Sequence, residues 1–85
     1  MSLNLRALSL ASALLWGGLF LFIGALNLMF PSYGAHWLDF GASIYPGYHG
    51  PSGFGSVIIV TLYGLVDGAV GGAIFAWLYN RLLPA

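Results

Sequence analysis

The sequence contains no cysteine and very few charged residues, and both absences exclude classes of function. Without cysteine, the 85-residue chain forms no disulfide, no thiolate metal site and no cysteine nucleophile. Only 5% of its residues are charged, whereas soluble domains carry about 25%. Arg6 and Arg81 balance Asp39 and Asp67, so no basic patch exists to neutralise the phosphates of a nucleic acid. We therefore expect no nucleic-acid partner.

The sequence also lacks the motifs of common catalytic and cofactor sites. No histidine and acid stand beside a serine in the arrangement of a nucleophilic triad, and there is no phosphate loop or dinucleotide fingerprint. His36 and His49 lie in one connection near Asp39, which is only a weak metal-binding pattern because ligating imidazoles must converge on one ion. We predict that the protein is not an enzyme and holds neither a cofactor nor a metal.

What the chain does contain is apolar sequence, at 60% hydrophobic residues and a mean hydropathy of +0.93. A membrane-spanning helix needs about 20 apolar residues, so two spans fit and a third does not. We predict one membrane domain over residues 1–85, with spans at about 7–30 and 56–83. A signal peptide is the alternative for the first span, but the apolar core of a signal peptide has only about 7–15 residues.

The connection at residues 31–53 is rich in glycine, proline and aromatic residues, so no single helix runs through it. We expect a short helix at 35–43 in the membrane boundary, with Trp37, Leu38 and Phe40 toward lipid and His36 and Asp39 toward water. Aromatic rings with one polar tip favour that boundary. The predicted anchors are, in the connection and at the far end of the second span, Tyr33, Trp37, Tyr48, Trp77 and Tyr79.

The pattern as a whole predicts an all-α membrane protein, a two-helix transmembrane hairpin with an aromatic-rich interfacial connection. Both arginines lie near the chain termini and none lies in the connection. Positive residues concentrate on the cytoplasmic side of membrane proteins, so both termini are expected in the cytoplasm. The surrounding bilayer and other transmembrane helices are the expected partners.

Asp67 lies almost midway along the second span, where an aspartate costs about 2.5–3.5 kcal/mol on an insertion scale. Such a carboxyl should not face lipid. Helical geometry places Tyr63 on the same side of the helix, and in an antiparallel hairpin Trp16 lies at nearly the same depth. We expect either Trp16 or Tyr63 to donate a hydrogen bond to Asp67. Three interpretations remain open: a neutral carboxyl that fastens helices, a proton or ion site, and a contact to a pigment or other ligand.

Small residues recur along the second span and predict close helix packing. Gly64, Gly68, Gly72 and Ala76 follow one another at intervals of four residues, which aligns them along one face of a helix. Gly71 lies beside them, on the side that carries Asp67. Faces of this kind let another helix approach closely within a membrane.

Several segments of the chain resemble a known family. They are residues 5–11 (LRALSLA), 14–17 (LLWG), 45–48 (YPGY), 64–68 (GLVDG) and 71–80 (GGAIFAWLYN). They are similar to a family of short two-span bacterial membrane proteins that has no established function and is often labelled "bacteriophage holin". The resemblance implies the bacterial inner membrane, and the label implies pore-forming oligomers that release a lytic enzyme.

Two classes of function follow from these observations. The first is a small non-enzymatic membrane protein that acts by helix packing, as an accessory subunit of a larger membrane complex or as a self-assembling scaffold. The alternative is a conduit, either a holin-like homo-oligomeric pore or a proton- or ion-handling channel that uses Asp67. A conduit requires a polar stripe along one helix, and the second span offers little polarity besides Asp67, which favours the first class.

Overall fold

A computed structural model describes residues 2–84, in which three α-helices and no strand occur. They are α1 (Leu5–Met29), α2 (Ala35–Ile44) and α3 (Phe54–Leu82). The predicted all-α class is confirmed for this part of the chain. α1 and α3 are both long and apolar enough to cross a membrane.

Asparagine side chains define both ends of α1. At the start, the side chain of Asn4 accepts a hydrogen bond of 2.9 Å from the backbone N–H of Ala7, which satisfies one of the unpaired amides of the first turn. At the end, Asn27 donates to the carbonyls of Pro31 (2.9 Å) and Tyr33 (2.8 Å). Asn27 is itself buried, so these bonds fix the turn that leads out of α1.

α1 and α3 lie side by side and run in opposite directions. Near one end the backbone of Leu3 exchanges two hydrogen bonds of 2.8 Å with the side-chain amide of Asn80. Toward the middle, the hydroxyl of Ser9 donates to the carbonyl of Ala69 at 2.8 Å. The described chain is therefore elongated, with extents of 51 × 20 × 18 Å.

The contact between α1 and α3 is made largely by small residues. Those buried on α3 include all four of the evenly spaced positions, Gly64, Gly68, Gly72 and Ala76. A methyl group added at Gly68 would lie 2.9 Å from Cα of Ala13, and one at Gly72 would lie 2.7 Å from the carbonyl oxygen of Leu8. The predicted small-residue face is thus covered by α1 of the same chain. Gly71 is exposed and lies outside this contact.

α2 and the residues after it pack against one half of the α1/α3 pair. The buried cluster there consists of Phe20, Leu38, Tyr45, Tyr48 and Val60. Phe20 lies at its centre with no exposed surface, and its ring stacks on Trp37 with 5.4 Å between ring centroids. Edge-to-face and offset aromatic pairs of this kind stabilise a core beyond the area that they bury.

The expected orientation of the short helix is wrong for two of its three apolar residues. Leu38 is only 1% exposed, and Trp37 packs between Phe20 and Trp16, so both face the protein and not lipid. Phe40 is 48% exposed, as expected for an outward residue. The reason is that α2 folds back along α1, which covers its apolar face with protein.

After α1 ends, the connection runs back along the two long helices toward their middle and then returns to the start of α3. Gly34, before α2, lies against Ile23, and Tyr45, after α2, reaches Trp16. These two α1 positions are separated by about 10 Å along the helix axis. Gly34 has φ 65° and Gly47 has φ 88°, which glycine adopts without strain, so both reversals of the path occur at glycine.

Candidate functional site

The site is a polar cluster in which one residue from each of three segments meets. Tyr45 Oη donates a hydrogen bond of 2.8 Å to Asp67 Oδ2. The indole N–H of Trp16 is shared between Asp67 Oδ2 at 3.1 Å and Tyr45 Oη at 2.9 Å. α1, the connection and α3 are therefore joined at one carboxyl oxygen.

Aromatic packing positions the two donors of this cluster. The ring of Trp16 meets Phe20, one turn further along α1, edge to face at 5.5 Å. The ring of Tyr45 stacks almost parallel on Tyr63 with 5.2 Å between centroids and meets Phe20 at 5.6 Å. These aromatic neighbours hold both rings with their polar tips directed at Asp67.

Of the two donors predicted for Asp67, the structure has the bond from Trp16. Tyr63 instead donates to the backbone carbonyl of Pro46, which belongs to the turn after α2. Tyr63 therefore ties the connection to α3 and stacks on Tyr45, without contributing a hydrogen bond to the carboxyl.

Tyr45 is the residue of the site that sequence reasoning missed. Its position one residue before Pro46-Gly47 marks a turn, but nothing in the pattern places that turn beside the middle of α3. The one available signal was the composition of the connection, which carries too many aromatic residues for a solvated loop. A connection that packs inside the protein accounts for those residues.

The two carboxyl oxygens of Asp67 have different surroundings. Within residues 2–84, every hydrogen bond to this side chain ends on Oδ2. Asp67 as a whole is exposed and lines an open groove of about 530 Å³ between α1 and α3. Gly68, Gly71 and Gly72 lie along this groove, and none of its lining residues is basic. We call it the Asp67 groove.

Among residues 2–84, no charged side chain contacts Asp67. The guanidinium of Arg81 lies 5.5 Å from the ring centroid of Trp77, near the far end of α3. Within residues 2–84, no group of three histidine or acidic side chains could hold a metal ion. The carboxyl is thus surrounded by neutral donors and apolar side chains.

The predicted boundary anchors fall into two groups. Tyr33, Trp77 and Tyr79 are 43%, 54% and 39% exposed. Trp37 and Tyr48 instead lie in or against the buried cluster, because the connection folds inward. The buried N–H of Trp37 has no hydrogen-bond partner among the described residues.

Tyr48 is a titratable group of the connection whose pKa is shifted by its surroundings. It is only 2% exposed, and Asp39 lies on the neighbouring α2. Burial raises the pKa of the Tyr48 hydroxyl above its ordinary value of 10.0, and the negative charge of Asp39 raises it further. Tyr48 is therefore neutral at physiological pH.

No protein-family model matches the chain, and neither a curated protein nor a solved structure is significantly similar to it. The chemistry of the site must therefore be judged from its own atoms. A carboxyl with two neutral donors on one oxygen can fasten segments, exchange a proton or pair with a cation.

Proposed function

We propose that this chain is an integral membrane protein whose α1 and α3 cross the bilayer as a hairpin. The observation that carries the proposal is how little of the two helices is covered by protein. Only 22% of the most apolar stretch of α1 and 28% of that of α3 are buried, and Leu15 is 78% exposed. A helix in the core of a soluble protein buries its apolar face, and a helix that is apolar all round requires protein or lipid on every side.

The fold of the connection supports the same proposal. Non-helical backbone is tolerated at membrane depth only where protein buries it or where it lines a water-filled cavity. The turn after α2 is covered by protein in part: Tyr45 and Tyr48 are buried and Tyr63 donates to the carbonyl of Pro46, while Pro46 and Gly47 are themselves exposed. On this proposal the connection is a re-entrant segment that reaches the middle of the bilayer.

The proposed activity is non-enzymatic helix packing, as an accessory subunit of a larger membrane complex or as a self-assembling scaffold. Asp67 then serves as a hydrogen-bonding carboxyl that fastens the connection to both long helices. The exposed aliphatic faces of α1 and α3 supply the surface for lipid or for other transmembrane helices. The family resemblance and the two terminal arginines support the bacterial inner membrane with both termini in the cytoplasm.

A conduit is the second candidate, and one observation favours it. Asp67 Oδ1 accepts no hydrogen bond within residues 2–84 and belongs to a side chain exposed in an open groove, where a proton could reach it. A holin-like pore or a proton channel would use such a group. However, Val66, Val70 and Ile74 occupy neighbouring exposed positions of α3, so no polar stripe continues from the acid.

The composition of the native particle tests the proposed function. The protein would be extracted from its own membrane with lipid-encircling polymer, and the mass and subunits of the particle would be measured. Other membrane subunits at fixed stoichiometry would support an accessory role, and a defined multiple of 9.0 kDa would support a scaffold or a pore. Recovery of the chain in the soluble fraction would contradict the proposal.

Ion-flux measurements on reconstituted vesicles separate the scaffold from the conduit. A scaffold leaves vesicles tight to protons and to small ions, with or without Asp67→Asn. If the chain is a proton conduit, vesicles with the wild-type chain leak protons. Vesicles with Asp67→Asn do not, because the amide cannot exchange a proton. A holin-like pore would also release a trapped dye.

A further inference from the structure

We propose that the Asp67 groove is a binding site for an organic cation with an apolar body, which enters from the bilayer. This site goes beyond the helix-packing role, and it uses a surface that the packing of α1 on α3 leaves open. Three observations carry it: the shape of the groove, the nature of its walls, and the unpaired oxygen of Asp67.

The shape fits a small molecule better than a helix. The volume of about 530 Å³ lies within the range of about 300–1,000 Å³ that is typical of small-ligand sites. The groove follows residues 8–16 of α1 and 67–75 of α3, which is about 12 Å of helix. A transmembrane partner helix packs along much more of the bilayer's apolar thickness of about 30 Å.

The walls are apolar except at Asp67 and at the hydroxyl of Ser12. Leu15 and Phe75 stand at the sides, and the absence of side chains at Gly68, Gly71 and Gly72 creates the concavity. Trp16 closes the end nearest α2, with its N–H held by Asp67 and Tyr45. An apolar wall with aromatic rings suits a cation whose charge is covered by hydrocarbon, because aromatic faces attract positive charge.

The carboxyl provides the charge that selects a cation. Its Oδ2 is fixed by two donors, so its orientation is set, and its Oδ1 has no partner within residues 2–84. No lining residue is basic. The bound cation forms an ion pair with the Asp67 carboxylate, which the low dielectric of the bilayer strengthens. An anion of the same size meets no positive group in the groove.

Two probes of matched shape and opposite charge test this inference. Binding of tetraphenylphosphonium to wild type in phosphatidylcholine nanodiscs would be measured by equilibrium dialysis, with empty nanodiscs as the background. We expect saturable binding above that background. In a separate dialysis without the cation, tetraphenylborate, which has the same four-ring shape with a negative charge, should show no saturable binding above empty nanodiscs.

Three variants locate the binding. Asp67→Asn keeps an acceptor for Trp16 and Tyr45 but removes the charge, and we expect at least a tenfold loss of affinity. Gly71→Leu fills the groove at a position where an added Cβ meets nothing within 4 Å, and a similar loss is expected. Gly18→Leu is the matched control, since Gly18 is equally open but lies on α1 outside the groove. This variant should bind the cation as wild type does.

Several results would overturn the inference. Binding that does not saturate would mean that lipid chains occupy the groove, and unchanged affinity in both Asp67→Asn and Gly71→Leu would place the cation elsewhere. Saturable binding of tetraphenylborate with the affinity of the cation would remove the role of charge. A smaller particle mass in Gly71→Leu than in Gly18→Leu would mean that a second copy of the chain covers the groove. Helicity by circular dichroism confirms that each variant is folded.

Discussion

The two halves of the molecule are held together in different ways. In the half that contains α2, three segments meet and large rings fill the space between them, with Phe20 and Tyr48 almost fully buried. In the other half, α1 and α3 are the only helices among residues 2–84, and their backbones approach closely across Gly68 and Gly72. We call these the aromatic half and the glycine half.

The difference shows what each kind of packing requires. Two helices alone cannot surround a large side chain, so the glycine half gains its stability from close backbone contact, which small residues permit. A third segment creates a space that must be filled to the density of a protein interior, and aromatic rings fill it. The Trp16–Tyr45–Asp67 cluster lies at the border, where the third segment ends.

The largest effect on the folded structure is expected from a side chain added in the glycine half, because it would separate α1 from α3. Gly68→Leu would push the new side chain into the backbone of α1 at Ser12 and Ala13, which cannot move aside locally. We expect this variant to lose the α1/α3 contact altogether, as measured by energy transfer between labels on the two chain termini in nanodiscs. Gly18→Leu adds the same side chain in open space and serves as the control. Equal transfer in both variants would contradict the glycine contact.

The next effect is expected from a cavity in the aromatic half. Phe20→Ala removes the fully buried ring that touches Trp16, Trp37 and Tyr45, and we expect a loss of about 3–5 kcal/mol in the free energy of unfolding. Phe22 is 59% exposed on the same helix, so Phe22→Ala is the matched control. Denaturation in micelles measures both, and similar losses would mean that α2 does not cover Phe20.

A smaller effect is expected at the border between the halves. Tyr45→Phe keeps the ring but removes the hydroxyl that donates to Asp67, and one hydrogen bond of this kind contributes about 1 kcal/mol. Tyr33→Phe removes a hydroxyl from an exposed ring and should change stability little. Equal unfolding free energies for the two variants would show that Tyr45 does not bond to Asp67.

The smallest effect is expected from pH, again in the aromatic half. The pKa of Tyr48 is raised in the folded chain above the ordinary value of 10.0, so above about pH 10 the unfolded chain releases this proton first. Folding stability should therefore fall as the pH rises through that region, and part of the fall should vanish in Tyr48→Phe. A pH profile of denaturation measures the difference. Identical profiles for wild type and Tyr48→Phe would show that the Tyr48 hydroxyl is exposed to water in the folded chain and that its pKa is not raised by folding.

The packing of the glycine half could largely be predicted from the sequence, whereas the packing of the aromatic half could not. Helical periodicity alone aligns Gly64, Gly68 and Gly72, and an antiparallel pairing then brings Trp16 to the depth of Asp67. The first argument uses regular geometry within one helix, and the second adds only the antiparallel pairing of two helices. Gly71 was grouped with the packing residues because it shares a side with Asp67, and the structure leaves it open to the groove.

The path of the connection depends on tertiary packing, which periodicity does not encode. A solvated or boundary segment and a re-entrant one have similar apolar content, so the inward orientation of Leu38 and Tyr48 could not be read from the residues. The position of Tyr45 beside Asp67 depends on that path. The apolar surface of α1 and α3 was predictable from composition, but what covers it was not.

The indole signals of the three tryptophans offer the most direct test of the cluster that joins the two halves. In a 15N–1H spectrum recorded in nanodiscs, the Trp16 indole signal should shift in both Tyr45→Phe and Asp67→Asn, because its N–H contacts both partners. The Trp77 signal should stay unchanged, since Trp77 lies near the far end of α3. A Trp16 signal that shifts in Asp67→Asn but not in Tyr45→Phe would show that the connection does not reach the middle of the bundle, and would contradict the account.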